Sequence, residues 1–179
     1  MRRRPECVRS EPVLETRWIT VRRNLYRFDE KAEAIDYFVT DTAEIALAVS
    51  TTARGRYVMV EQWKLPIARR SLEFPAGAIA EGSPLANAKR ELLEETGFGG
   101  GEWRKLGVVF PDTGRSRNAV HIFAADGVAR ASEPALDKVE TACGLRVVEV
   151  GRTQLRTLVQ QGRVKSAGTL AALTLLLMR

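Results

Sequence analysis

The stretch RELLEETGF, residues 90–98, decides how this sequence is interpreted. It places Glu91, Glu94 and Glu95 at spacings i, i+3 and i+4, so all three project from one face of a helix. Like charges one turn apart weaken an isolated helix by about 0.2–0.5 kcal/mol per pair. Two explanations are open: a solvated acidic face, or a cluster that binds a divalent cation, since Mg²⁺ prefers oxygen ligands.

The residues on either side of this stretch predict where the helix begins and ends. Ser83 fits the N-cap, Pro84 the first helical position, and Gly97 the C-terminal cap. Apolar residues lie roughly opposite the glutamates, which predicts that they dock while the acidic face points away; they are Leu85, Ala86, Leu92 and Leu93.

Alternating apolar residues predict a series of strands over the rest of the chain. These strands are 18–28, 34–40, 44–51, 56–64, 103–110, 119–126 and 145–151, and residues 71–84 form a strand that leads into a Gly/Pro-rich loop. Two further helices are predicted at 153–162 and 166–179. Because strands and helices interleave, we expect a mixed sheet with helices on both faces.

Composition restricts the class of protein. The chain has 179 residues, a formal net charge of +6 and two distant cysteines, Cys7 and Cys143, which predict reduced thiols in a cytoplasmic protein. Its longest apolar run, 167–178, is shorter than the roughly 20 residues that span a bilayer, so we expect no membrane segment. Scattered arginines without an aromatic-basic motif make nucleic acid an unlikely partner.

Residues 75–98, PAGAIAEGSPLANAKRELLEETGF, resemble the Nudix box, in which G-x5-E-x7 is followed by R-E-U-x-E-E-x-G-U with U apolar. The matching positions are Gly77, Arg90, Glu91, Leu92, Glu94, Glu95, Gly97 and Phe98. The resemblance implies an α/β/α sandwich around a mixed sheet. It also implies hydrolysis of nucleoside diphosphates linked to another group, with Mg²⁺ or Mn²⁺ as cofactor.

The box departs from the family pattern at one place. Ser83 stands where the pattern has its first glutamate, and the spacing from Gly77 to Arg90 is one residue short. The simplest account is the loss of that glutamate, for which Glu81 could substitute in part. We therefore expect the ligands on the helix to survive, with weaker metal binding or slower turnover as one outcome.

Residues 13–178 are similar to the branch of the family that cleaves ADP-ribose and related nucleotide sugars. This implies an N-terminal antiparallel β segment, residues 1–43, before a catalytic domain, residues 44–179, and a homodimer in which the N-terminal sheets swap. Trp63 and Lys64 stand where relatives often carry Tyr and Arg. Trp63 either stacks on a nucleobase or is an aromatic buried at a strand edge, and Lys64 supplies charge without the bidentate fork of Arg.

Other residues are assigned roles through the same resemblance. Arg69, Arg115, Arg117 and Gly77 are candidate substrate contacts, although Arg115 and Arg117 are equally well explained as solvated loop residues. The predicted metal ligands are Ala76 through its carbonyl, Glu91, Glu94 and Glu95; the predicted catalytic residues are Arg90, Glu94, Glu95 and Glu140.

Glu140 is chosen as general base from the acidic segment 133–145, whereas His121 fits a structural role. The expected reaction is hydrolysis of a nucleoside diphosphate sugar to a nucleoside monophosphate and a sugar phosphate. Two alternatives are a Nudix-fold binding or regulatory protein without hydrolysis, and an RNA-processing protein suggested by net charge alone.

Overall fold

In the computed structural model, which describes residues 4–178, the acidic stretch lies on helix α1, Pro84–Thr96. The Ser83 side chain accepts a hydrogen bond from the backbone N–H of Ala86 and caps the start of the helix. Gly97 has a left-handed φ of 73°, and its N–H donates to the carbonyl of Leu93. Both predicted caps are therefore confirmed.

The described residues form two units. In the first, strands β1 (Glu6–Glu15), β2 (Thr20–Arg27) and β3 (Ile35–Asp41) make an antiparallel sheet in the order β1–β2–β3. Residues Phe110–Ala119 belong to the same unit. They are fastened to β3 by a hydrogen bond of 2.7 Å from the N–H of Thr40 to the carbonyl of Arg115.

The second unit is built on an eight-stranded sheet. Its strands are β4 (Ile45–Thr52), β5 (Tyr57–Lys64), β6 (Arg69–Glu73), β7 (Ala76–Ala78), β8 (Phe98–Gly99), β9 (Glu102–Val109), β10 (Val120–Arg130) and β11 (Arg146–Val150). The central order is β11–β5–β4–β10–β8, with β6 beside β5, β7 beside β4 and β9 beside β10. Strand β10 runs parallel to β4, and the other strand pairs of the described chain are antiparallel.

Helices cover both faces of this sheet. Besides α1 they are α2 (Lys138–Ala142), α3 (Arg152–Gln160) and α4 (Ala167–Leu177). Alternate residues of β4 point to opposite sides: Ala46 and Ala48 join the core beneath α1, whereas Leu47 and Val49 join the core beneath α3 and α4. The predicted α/β/α sandwich with a mixed sheet is therefore confirmed. Among residues 4–178, no helix is long and apolar enough to cross a membrane.

One expectation about α1 is wrong. Glu91 and Glu95 are only 7% and 4% exposed, whereas Leu93, expected to dock, is 40% exposed. The reason is that α1 packs on β7 as well as on β4, so part of the acidic face lies against the Gly-rich strand. Leu92 is fully buried, as expected.

Candidate active site

Strand β7 places the Gly-rich loop directly under helix α1. Its residues Ala76–Ala78 pair antiparallel with Ile45–Leu47 of β4. The loop that follows is held by Asn87, whose Nδ2 donates to the carbonyls of Glu81 at 2.6 Å and Ser83 at 3.0 Å. A buried side chain of the helix thus fixes the loop relative to the glutamates on the same helix.

Gly77 allows the carboxylate of Glu91 to lie against the backbone of β7. A Cβ built on Gly77 would lie 2.2 Å from Cδ of Glu91, far inside van der Waals contact. The φ of Gly77 is not positive, so the requirement for glycine here comes from space and not from backbone conformation.

Glu95 is the most deeply buried acid of the site. Its Oε2 accepts a hydrogen bond of 3.2 Å from the N–H of Ala76. Burial, followed by the negative charges of Glu91 and Glu140, raises the pKa of Glu95 well above its ordinary value. A carboxylate in this position is electrostatically costly unless a cation or a proton compensates its charge.

Arg90 holds the two more accessible glutamates of the box. Its guanidinium donates to the carboxylates of Glu91 and Glu94, and at 3.4 Å to the carbonyl of Ala78. Burial raises the pKa of Glu91 despite the opposing charge of Arg90. Although burial lowers the pKa of Arg90, Glu91 and Glu94 keep it above its usual value.

Because of these contacts, the carboxylates of Glu91, Glu94 and Glu95 do not converge on one point. Within residues 4–178, no three His, Cys, Asp or Glu side chains converge as a preformed metal site. Glu91 and Glu94 are turned to Arg90, and Glu95 is turned to the backbone of Ala76. The side chains would have to reorient to share one ion.

Glu140 lies close enough for its charge to raise the pKa of both Glu91 and Glu95. It sits on the short helix α2, where Asp137 and Glu140 form a capping box: Glu140 N–H donates to Asp137 Oδ1, and Asp137 N–H donates to Glu140 Oε2, each at 2.7 Å. The negative charge of Glu140 therefore acts on the box glutamates, although its carboxylate is engaged in the cap.

Lys64 also belongs to this neighbourhood. Its Nζ pairs with Oε2 of Glu73 at 3.0 Å, and its charge opposes the upward shift of the Glu95 pKa. Trp63 is 43% exposed, so it is not a buried edge aromatic. Because successive strand residues point to opposite faces, Trp63 and Lys64 do not share one side of the sheet. Arg69 is exposed and pairs in register with Lys64.

Arg115 and Arg117 lie in the first unit. Arg117 donates to Asp41 through Nε at 2.7 Å and Nη2 at 2.6 Å, so it is not a freely solvated loop residue. Both arginines line a cavity of about 440 Å³ within that unit, together with aromatic side chains that include Tyr26 and Tyr37. Their contact with a diphosphate stays a prediction.

The departure from the box has a structural counterpart. Ser83, at the position of the missing glutamate, uses its hydroxyl to cap α1, accepting from the N–H of Ala86 at 3.2 Å. Glu81 is exposed on the loop. Ser83 therefore caps the helix, a role that glutamate fills less well at this position.

Sequence reasoning missed two residues of this region, Asn87 and Glu73. Asn87 had a detectable signal. Asparagine is a poor helix former, so helix propensity does not explain its place in the first turn of α1. Glu73 had no such signal beyond its position directly before the residues FPAG, 74–77. His121 on β10 pairs through Nε2 with Oε2 of Glu44, the residue that precedes β4, at 2.6 Å, in keeping with a structural role.

Comparison with known proteins identifies the family of this chain. The NUDIX domain family matches residues 41–165. The chain is 33% identical over 131 residues to the ADP-ribose pyrophosphatase of Bacillus subtilis, covering 72% of this chain and 69% of that protein. It is 27% identical over 126 residues to the GDP-mannose pyrophosphatase of Yersinia enterocolitica, covering 66% and 65%.

The solved structure of an ADP compounds hydrolase superimposes with a TM-score of 0.83 at 21% identity, covering 97% of this chain and 92% of that one. At this identity the likeness shows the fold. The sequence matches confirm the predicted resemblance to the ADP-ribose and nucleotide-sugar branch, and with it the class of Nudix-type pyrophosphohydrolase. The match over residues 41–165 spans more than half of the sequence, so the chain belongs to the NUDIX domain family.

Proposed function

We propose that this chain hydrolyses the diphosphate of a nucleoside diphosphate sugar, of the ADP-ribose kind, to a nucleoside monophosphate and a sugar phosphate. One observation carries the proposal: Glu91 and Glu95 are buried side by side on α1, against a glycine that leaves room for the Glu91 carboxylate. Two relatives named for cleavage of ADP-ribose and GDP-mannose support the substrate class and leave the base open.

The residues of the site fit a divalent cation. NUDIX hydrolases use divalent metals, and the donors available here are carboxylate oxygens and the Ala76 carbonyl, which suit Mg²⁺ or Mn²⁺. Glu91, Glu94 and Glu95 would hold the ion, because burial and the negative charges of neighbouring glutamates destabilise the charged forms of Glu91 and Glu95 until a cation compensates them. When bound, the ion would neutralise diphosphate charge and lower the pKa of a bound water.

The remaining chemistry falls to side chains of the chain itself. Glu140 is the proposed acceptor of the water proton, since its charge is felt by both buried glutamates and its side chain is partly exposed. Arg90 positions Glu91 and Glu94. Lys64 and Arg69, paired in register across β5 and β6, offer positive charge to the phosphoryl oxygens.

The same proposal includes a homodimer formed through the first unit. The strands and connections of this unit expose several large apolar side chains, a pattern that marks interaction surfaces; they include Val13, Trp18, Phe28, Ile35 and Phe38. We expect the molar mass in solution, measured by light scattering after size exclusion, to be twice that of the chain. A monomeric mass at all concentrations would contradict this part. A cytoplasmic location completes the proposal.

The experiment is product analysis on a panel of ADP-ribose, GDP-mannose, UDP-glucose and dinucleoside polyphosphates with Mg²⁺ or Mn²⁺. We expect nucleoside monophosphate from at least one nucleotide sugar, lost in Glu91→Gln and kept in Glu149→Gln. Glu149 is a suitable control because it is an exposed acid of β11 that pairs with Arg56 outside the site. Nucleotide-sugar binding without any product would favour the binding-protein alternative instead.

A further inference from the structure

Helices α3 and α4 line a second cavity, on the face of the sheet opposite to α1. Its volume is about 590 Å³, within the range of small-molecule pockets. Leu155 and Val159 of α3 and Leu170 and Leu173 of α4 form its apolar walls. The lining of this cavity is mainly apolar, and it has no residue in common with the carboxylate site.

Two arginines, Arg152 and Arg156, line the same cavity. They are spaced i, i+4 on α3, where like charges destabilise a helix, and Arg152 occupies the first turn, where the helix dipole disfavours a cation. In the described part of the chain neither arginine forms an ion pair, and no acidic residue lines the cavity. Helix stability thus does not explain this pair.

The acid that lines an adjoining cavity already has partners of its own. Asp126 lines an adjoining cavity of about 220 Å³ together with Arg152. Its carboxylate, however, accepts hydrogen bonds from Arg104 and, at 2.8 Å, from the hydroxyl of Thr51. The positive charge of Arg152 and Arg156 therefore remains available to a ligand.

We propose that the cavity between α3 and α4 binds a small amphipathic anion, an alkyl chain with an anionic head group. The leucines and valine take the chain, and Arg152 and Arg156 take the head through charge-assisted hydrogen bonds. A concave pocket of about 590 Å³ with a mainly apolar lining and two arginines fits one such molecule better than it fits the flat surface of a protein partner. The inference is independent of the proposed hydrolase activity, because the two sites lie on opposite faces of the sheet.

The test is calorimetric titration of the full chain with hexanoate, octanoate and decanoate below their micellar concentrations. Burial of each additional methylene is expected to strengthen binding about fourfold. Octanol and octylamine serve as neutral and cationic probes and are expected to bind at least about tenfold more weakly than octanoate. Affinity that is independent of chain length or of head-group charge would overturn the proposal.

Variants locate the site. Arg156→Gln is expected to weaken octanoate binding about tenfold or more, whereas Arg54→Gln, which removes the same charge at an exposed turn outside the cavity, leaves it unchanged. Replacement of both arginines, Arg152→Glu together with Arg156→Glu, is expected to reverse the preference from octanoate to octylamine. Equal losses in Arg54→Gln and Arg156→Gln, or no reversal, would refute the assignment. Binding by a Glu95→Gln protein keeps this result separate from the fate of the hydrolase proposal.

Discussion

Replacement of Gly77 by alanine tests the geometry of the carboxylate site directly. The new Cβ would lie 2.2 Å from Cδ of Glu91, and ordinary contact begins at 3.4 Å, so the carboxyl group must retreat by about 1.2 Å (3.4 − 2.2). A misplacement of about 1 Å in a catalytic group can reduce rate by about 100-fold, equivalent to about 2.7 kcal/mol. We therefore expect kcat/KM of Gly77→Ala to fall about 100-fold.

Stability should change little in the same variant. The atoms that must move are the far end of a flexible side chain, and the backbone of Gly77 is not in the left-handed region. We expect the free energy of unfolding, measured in urea, to change by less than about 1 kcal/mol. Gly168→Ala is the matched control, since its Cβ would meet Leu47 at an ordinary 3.5 Å. Unchanged kcat/KM in folded Gly77→Ala would show that the position of Glu91 does not matter for catalysis.

Three further predictions concern charge and capping. Because burial raises the pKa of Glu95, the folded chain holds a proton that the unfolded chain releases, and stability falls as pH rises above about 4.3. Glu95→Gln should therefore raise the Tm of the metal-free protein at about pH 8, and a gain in Tm that does not shrink on acidification would contradict this. Glu61 is 4% exposed and accepts hydrogen bonds from Arg146 and Arg163. Glu61→Gln should therefore lower the unfolding free energy measured in urea by about 1–2 kcal/mol, more than the loss of a solvent-exposed ion pair would cause. Ser83→Ala should cost about 1 kcal/mol in the same assay and Ser83→Asp almost nothing, because aspartate keeps the cap; equal effects would rule out capping as the role of Ser83.

Sequence patterns predicted the central parts of the fold because those parts carry strong local signals. Helix α1 has an N-cap, a proline at its first position and a glycine at its end, and all three lie where expected. Strands β4 and β5 were placed within a residue because their apolar residues are continuous. The family resemblance then supplied the layered architecture, which the structure confirms.

The elements that were missed lack such signals. Strand β1, Glu6–Glu15, is exposed along almost its whole length, so its sequence shows no alternation of apolar and polar residues. Helix α2, Lys138–Ala142, is little more than one turn and has no periodicity to detect. Strand β8 is only two residues long.

Sequence patterns predicted which residues belong to the candidate site better than they predicted how these residues are buried and paired. Counting charges on α1 could not reveal that Glu91 and Glu95 are buried, because that depends on β7 packing against the helix. Lys64 was chosen through resemblance, and its pairing with Glu73 emerges only when β5 and β6 lie side by side. Burial and cross-strand pairs are tertiary properties, so a pattern within one helix does not encode them.

The central claim is that buried carboxylates of α1 support metal-dependent cleavage of a diphosphate. The most direct measurement is the rate of monophosphate release from ADP-ribose as Mg²⁺ or Mn²⁺ is titrated, for the natural chain and for Glu95→Gln. We predict saturable, metal-dependent release by the natural chain and at least about a 100-fold lower rate for the variant, which keeps the shape of the side chain and loses its charge. Equal rates in the two proteins, or release that ignores the metal, would contradict the account.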